Sequence, residues 1–451
     1  MTAPARVAAY EALRAIAAGR LDLPAALAHN RERLSDARDR TLAADIVTGT
    51  LRWQRSVDFL IERFAKRPLS TIDPEVLIIL RASLYQLLHL DRVPASAVVD
   101  DAVDLTRYAR KTSAAGFTNA VLRALLRQRH RLPLPPRPAA PDRAAALAYL
   151  GITHSHPEWL VARWLDRYGF DAAERWVRFN NETPRLTLRA NTLRARRDDI
   201  RGALAADGID TEPTRYAPDG LVVTNGNPLA APAAGAFVVQ DEASQLVSLT
   251  VGARPGECIL DLCASPGGKT LAMAADMRDS GLLAACDVRA RRVRLLHNTV
   301  CAAGAACVRI VHVAISGELP FAPRFDRVLV DAPCSGLGTI RRDPDIRWRR
   351  TEGDLAVFAR DQLALLARAA EVVRPGGRLV YATCSSEPEE NEMVVDTFLA
   401  GRPDFTLFDL RAHATAPLMP LVDERGRLQT LPFVHGLEAF FAAALVRRGT
   451  I

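Results

Sequence analysis

The sequence predicts a multidomain protein: an all-α domain at the N-terminus, a small α+β segment, and a C-terminal α/β domain with a parallel sheet covered by helices on both faces. Three observations predict this. Apolar residues from Arg6 to about Gln128 recur at helical spacing without any strand pattern, five prolines crowd the stretch from His130 to Asp142, and from about Gly235 short apolar runs alternate with helical pattern. The last of these marks parallel strands joined by crossover helices. At 451 residues the chain is too long for one core, because domains usually run about 100–200 residues.

In the first region Leu42, Ile46, Trp53, Val57, Leu60, Ile61 and Phe64 fall three and four residues apart, as do Val76, Ile79, Leu80, Leu84, Leu87 and Leu88. Asp73-Pro74-Glu75 is a helix start, with a capping carboxylate and proline at the first helical position. Pro133, Pro135, Pro136, Pro138 and Pro141 cannot continue a helix, so residues 131–141 read as a semi-rigid linker. Beyond it, Pro157-Glu158-Trp159-Leu160 through Asn180 reads as helices, Leu186–Asn191 as a short strand and Arg197–Ala206 as a helix, which makes residues 142–235 an α+β insert. The C-terminal domain, 236–451, has candidate strands at Cys258–Leu262, Leu282–Cys286, Val308–Val313, Arg327–Val330 and Leu379–Thr383. A last strand at Ala439–Val446 is expected to pair with Thr406–Leu410 as an antiparallel edge.

Composition narrows the class. Apolar residues make up 49% and charged residues 25%, as in a folded globular protein. The net charge of +7 comes from arginine, since the lysines are only Lys66, Lys111 and Lys269. Arginine grips phosphate in bidentate fashion and stacks on bases, so RNA or DNA is an expected partner. Seven cysteines, an odd number without short regular spacing, argue against a disulfide framework and against a metal site, and point to the reducing cytoplasm. No run of about 18 apolar residues occurs, so no membrane span is expected.

The chemistry concentrates at strand ends. The first strand of the α/β domain runs into Asp261-Leu262-Cys263-Ala264-Ser265-Pro266-Gly267-Gly268-Lys269-Thr270. Paired glycines let backbone approach a ligand, and the following helix aims free N–H groups at it. A phosphate-binding loop would need glycine where Cys263 stands, which disfavours a P-loop triphosphatase. The second strand ends in Asp287, with Arg292 five positions on; a carboxylate there is placed to accept ribose hydroxyls, so an adenosine-bearing cofactor is expected across the sheet. Two further strand ends carry thiols, Asp331-Ala332-Pro333-Cys334-Ser335 and Tyr381-Ala382-Thr383-Cys384-Ser385. A thiolate is a strong nucleophile once a cation lowers its pKa, and Lys269 is the candidate cation.

Two resemblances add to this reading. Arg40–Ala43, Val47–Arg52, Leu80–Leu87 and Phe117–Arg123 resemble the NusB-like domain of antitermination factors over residues 1–130, which implies RNA binding by helices. Asp261–Thr270, Asp331–Ser335 and Thr383–Ser385, in that order, resemble the RNA cytosine-C5 methyltransferases. With the helical domain in front, they resemble the RsmB/Sun-type bacterial enzymes of 16S ribosomal RNA, and Ile340–Trp348 and Pro388–Glu392 extend the match. The resemblance implies a Rossmann-like class I methyltransferase domain, a monomer, and S-adenosylmethionine over Cys263, Ala264, Ser265, Pro266, Gly267, Gly268 and Lys269, with Asp287, Arg292 and Asp331 beside it. It implies Cys384 as nucleophile, Cys334 as the residue of proton removal and product release, and Asp331 at the base. It also suggests Arg189, Asn191, Arg341, Arg342, Arg347 and Trp348 as RNA contacts. Where the family has an acidic residue after the third strand, this chain has Val311-His312-Val313-Ala314. The alternative is a NusB-like RNA-binding factor without catalysis, which would have no use for thiols at both strand ends.

Overall fold

The computed structural model describes residues 2–139, 142–230, 235–412 and 417–449. The chain forms two compact units, Met1–Glu182 with Ile340–Glu352, and Thr183–Thr339 with Gly353–Ile451.

The first unit is helical. Pro4–Ala17, Leu23–Arg33, Ala37–Arg52, Gln54–Ala65, Pro74–His89, Ala95–Tyr108 and Ala115–Gln128 enclose a core in which Leu60, Ile61, Ile79, Leu80, Leu84, Leu122 and Leu125 are fully buried. Several helices are started by carboxylates: Asp22 accepts from Ala25 N, Asp36 from Arg38 N, and Asp73 from Glu75 N with Pro74 at the first helical position. The proline-rich stretch, of which Ala140 and Pro141 lie outside the described residues, has Leu132 and Leu134 packed against this core. The helices Arg143–Ala148, Glu158–Tyr168 and Phe170–Asn181 belong to the same unit. They are built around Trp164 stacked on Trp176 at 4.5 Å, and Arg55 Nη1 holds His156 O at 2.7 Å. These helices therefore lie in the first unit and the strands that follow them in the second.

The segment Ile340–Glu352 is a strap lying on those helices, and it corrects part of the RNA-contact reading. Arg347 is fully buried. Its Nη1 donates to Arg52 O, Ser155 O and Asn181 Oδ1, and Nη2 donates to Asn180 O. It thus satisfies carbonyls at the ends of two helices, which have no intrahelical partners of their own. Trp348 donates Nε1–H to Leu51 O at 2.6 Å and packs on the helical core, so its ring edge is committed as well. Arg341 lies over the Phe179 ring at 3.9 Å, and Arg342 is half-buried. These side chains hold the strap in place, and in Arg347 no surface is left for RNA.

The strap also carries two close carboxyls. Asp345 Oδ2 accepts from Leu23 N at 3.2 Å and from Arg349 Nε at 2.8 Å. Burial, then the hydrogen bond and charge of Asp345, push Asp343 up to about 8. The unfolded value is about 3.9, so between these limits the folded chain keeps a proton that the unfolded chain has released. The stability this contributes is complete below the unfolded value and is lost as pH rises through the folded one. Asp343→Asn keeps a donor toward Asp345 and removes the titration. Thermal unfolding across pH 5 to 8 is expected to show a flatter fall of Tm in the variant, by roughly 2–4 °C for each kcal/mol recovered. An unchanged slope would refute the assignment.

The second unit begins with an antiparallel sheet of β1 (Thr187–Ala190), β2 (Asp210–Pro213), β3 (Gly220–Asn225) and β4 (Phe237–Val239), in the order β2-β3-β1-β4. Leu188, Ala190 and Leu221 pack with Ile200 and Leu204 of the helix Arg197–Ala206. The main sheet follows: β5 (Cys258–Asp261), β6 (Leu282–Asp287), β7 (Val308–His312), β8 (Phe325–Asp331), β9 (Val373–Thr383), β10 (Phe405–Phe408), β11 (Leu428–Gln429) and β12 (Phe441–Arg447). Its order is β10-β12-β9-β8-β5-β6-β7, with β11 on β12. Strands β5 to β9 are parallel, and β12 and β10 close the edge antiparallel.

Apolar cores lie on both faces, one with Leu246, Ile259, Met273, Leu283 and Leu329, the other with Leu260, Val328, Val330, Leu366 and Leu379. From β5 the chain moves outward through β6 to β7, then returns to the other side of β5 as β8. The order reverses between β5 and β8, and a crevice outside the C-terminal ends of the strands opens at such a point. No helix among the described residues is long and apolar enough to cross a membrane.

Candidate active site

Sheet order alone brings the glycine loop after β5, Asp331 at the end of β8 and the thiol after β9 to one edge. The loop is tightly seated. Ala264 N donates to Cys286 O at 2.8 Å, and Gly267 has φ +112°, a conformation that a side chain rarely adopts. A Cβ at Gly268 would stand 3.1 Å from Gln240. Asp261 is buried, and Oδ2 accepts from Thr270 Oγ1 at 2.7 Å. Asp261 Oδ1 and Ser265 Oγ are buried beside the loop without a hydrogen-bond partner. Burial pushes Asp261 up to about 7. It pushes the Cys263 thiol up as well, with the charges of Asp261, Asp331 and Asp287 adding to it, so Cys263 shapes the loop and is a poor nucleophile. Asp287 ends β6, buried, accepting from Arg289 N at 3.0 Å with Arg292 Nη1 3.9 Å from its other oxygen.

Lys269, from the loop, donates to Asp331 Oδ2 at 2.6 Å. Burial works against its ammonium, but the charge and hydrogen bond of Asp331, with the charge of Cys384, hold its pKa above the ordinary lysine value. Lys269 therefore stays charged and is held against Asp331. The two thiols meet: Cys334 Sγ and Cys384 Sγ are 3.3 Å apart, and both residues are partly exposed. Cys334 is pushed well above the usual thiol range, by its hydrogen bond to Cys384 first and by burial second. At this separation either sulfur can donate to the other.

What holds the thiols at this distance is a residue to which the sequence assigned no role. Glu390 is fully buried, and among the described residues its hydrogen-bond partners include no cation. It accepts from Ser335 N at 2.8 Å, from Ser335 Oγ, from Ser385 Oγ at 2.5 Å and from Gln362 Nε2 at 2.9 Å. Four donors on two oxygens replace the water that a buried carboxylate would otherwise need. Ser335 follows Cys334 and Ser385 follows Cys384, so one side chain clamps both thiol-bearing turns. Gln362 Nε2 also donates to Pro333 O, and Tyr381 OH donates to Glu390 O at 2.6 Å. Gly338 completes the turn: its N donates to Cys384 O at 3.0 Å, and a Cβ there would fall 1.9 Å from Ala439 O.

Glu390→Gln places an amide N–H₂ against these donors. About 1–3 kcal/mol of stability should be lost for each donor left unpaired, and kcat for the reaction at this site should fall about 10- to 100-fold, since a misplacement near 1 Å can cost about 100-fold. Affinity for the cofactor should be unchanged, and a variant with the wild-type kcat would contradict the clamp.

Arg189 and Asn191 are corrected like Arg347. Both are buried in this unit. Arg189 donates to Gln240 Oε1 and to Gly268 O at 3.1 Å, and Asn191 Nδ2 donates to Gly235 O and Ala303 O. Arg189 supports the glycine loop from beneath, and neither residue faces solvent. His312, where an acidic residue was expected, lies with Nε2 3.1 Å from Val288 O.

The sequence and the fold match known proteins along most of the chain. The family described as 16S rRNA methyltransferase RsmB/F matches residues 248–446, the NusB family residues 3–127, and the ferredoxin-like domain of RsmF/B-like methyltransferases residues 156–230. The probable ribosomal RNA small subunit methyltransferase B of Bacillus subtilis (strain 168) is 35% identical over 425 residues, covering 92% of each chain. Ribosomal RNA small subunit methyltransferase B of Pseudomonas syringae pv. tomato is 32% identical over 98% of this chain and 96% of its own. Among solved structures, that of PH0851 superposes with a TM-score of 0.80 at 26% identity over 99% of each chain. A methyltransferase homolog protein from Pyrococcus horikoshii gives 0.57 at 28% identity, covering 67% of this chain and 99% of that one.

Proposed function

We propose that this chain, which belongs to the RsmB/F family of 16S rRNA methyltransferases, methylates carbon-5 of a cytosine in small-subunit ribosomal RNA in the cytoplasm. The observation that carries the reading is the pair of thiols 3.3 Å apart, beside Lys269 and Asp331, at the reversal point of the sheet.

The cofactor is S-adenosylmethionine, and the residues present fit it. The unpartnered Ser265 Oγ and Asp261 Oδ1 and the open backbone of Gly267 and Gly268 form a polar cradle. The buried Asp287 carboxylate is placed for ribose hydroxyls. Bound there, the cofactor supplies the methyl group.

The chain's own residues make the cytosine reactive. Carbon-5 is a poor nucleophile until a group adds at carbon-6, and Cys384 makes that bond. Asp331, with Lys269 paired to it, faces ring N3, and the pair supplies the proton that N3 takes up as the sulfur adds and receives it back when the ring is restored. After methyl transfer the proton on carbon-5 leaves, its electron pair returns to the ring, and the carbon–sulfur bond breaks. Cys334 assists in that proton removal and in the departure of the Cys384 sulfur. Attack comes from above the ring, so the base must be unpaired or flipped.

The test is to incubate the protein with labelled S-adenosylmethionine and 16S RNA from cells lacking it, then to digest the RNA and identify the product. 5-Methylcytidine is expected, and a methyl group on any other atom would overturn the reading.

A further inference from the structure

The helix Ala290–Ala303 leaves the mouth of β6 three residues after Asp287, and its charge is arranged against its own stability. Arg289, Arg291, Arg292 and Arg294 are all exposed, and the first turn holds no acidic residue. A helix N-terminus carries about half a positive charge, so each cation there is unfavourably placed. Acids could have balanced them, as they do for arginines elsewhere in this unit, where Arg374 pairs with Asp326, Arg411 with Asp409 and Arg425 with Asp396. Among the described residues, Arg289, Arg291 and Arg294 pair with no carboxylate, and the one nearby acid, Asp287, is turned to Arg289 N and Arg292. A general bias toward arginine accounts for the residue type but not for this separation from acids.

The faces of the helix sharpen the pattern. Leu296, Val300 and Ala303 are buried against the sheet. At 100° per residue the opposite side presents Arg291, Arg294 and Asn298, flanked by Leu295 one turn on from Arg291, all exposed, with Leu295 half exposed. Helix dipole and arginines add into one positive field beside the cofactor cradle. An apolar side chain within that field suits the base or sugar of a single strand whose phosphates the arginines hold.

We propose that the outer face and N-terminal turn of this helix are a docking strip for the RNA phosphodiester backbone flanking the target cytosine. This rests on the reading of RNA as the substrate. The strip uses Arg289, Arg291 and Arg294 as phosphate contacts and Leu295 as an apolar contact, while Arg292 stays with Asp287.

The experiment compares the full chain with the triple variant Arg289→Ala, Arg291→Ala, Arg294→Ala, measuring binding of a fluorescent single-stranded 16S fragment by anisotropy at several salt concentrations. The variant should bind about 10- to 100-fold more weakly, and the slope of log affinity on log salt should be shallower by about 2, since each phosphate contact in a single strand contributes about 0.7. Its binding of S-adenosylmethionine should match wild type, its Tm should equal or exceed that of wild type because cations are removed from a helix N-terminus, and the corresponding triple lysine variant should restore the salt slope. Equal RNA affinity and equal slope in wild type and the alanine variant would overturn the strip. Methyl transfer is scored separately, so absence of 5-methylcytidine would count against the proposed reaction and leave the binding result to decide the strip.

Discussion

Cys384→Ala is expected to lose methyl transfer to RNA by about 10⁴-fold or more, because it removes the covalent step and leaves only binding and electrostatic assistance. Folding should survive, since the side chain is small and partly exposed and the turn around it is held by the backbone and by Glu390 rather than by the sulfur. Affinity for S-adenosylmethionine should stay near wild type, as the cradle at Cys263–Lys269 contributes no atom to that thiol's bonding to RNA. Activity within tenfold of wild type would remove Cys384 from the reaction.

Cys334→Ala is expected to behave differently. It takes away the sulfur 3.3 Å from Cys384 but leaves the attacking atom, the Lys269–Asp331 pair and the cradle in place. Addition and methyl transfer can then proceed while proton removal and release slow down. Turnover should drop about 10²-fold or more, the range a positioned acid–base group contributes. The methylated RNA should stay attached to the protein through denaturation. The same thiol predicts a pH effect. Because Cys334 is pushed up by its bond to Cys384 and by burial, it holds its proton at neutral pH, and release should quicken as pH rises.

The main sheet was legible because its strands are short apolar runs closed by polar turns. Cys258–Asp261 and Val308–His312 fall within a residue of expectation. Strand β9 departed furthest, beginning at Val373 instead of Leu379. Arg374-Pro375-Gly376-Gly377 reads as a turn, yet it belongs to an irregular strand start where Gly377 packs so close to Phe325 O that a Cβ would come within 2.9 Å.

The arginines divided in another way. Arg189 and Arg347 look like surface cations in any local window, and only tertiary structure supplies the carbonyls that bury them. Glu390 was hidden for a related reason: its clamp joins Ser335, 55 positions away, to Ser385, five away. A carboxylate that satisfies itself with hydroxyl and amide donors leaves no charge pattern to read. The strand-end thiols could be read, because a cysteine after a buried strand is set in place by backbone that the strand itself determines.

The most direct test of the covalent account is to trap the Cys334→Ala adduct with 16S RNA, digest protein and RNA, and sequence the cross-linked peptide by mass spectrometry. The account predicts a 5-methylated cytosine joined to the peptide containing Cys384, and no adduct when Cys384→Ala is added. A cross-link at any other residue, or persistence of the adduct in the double variant, would contradict it.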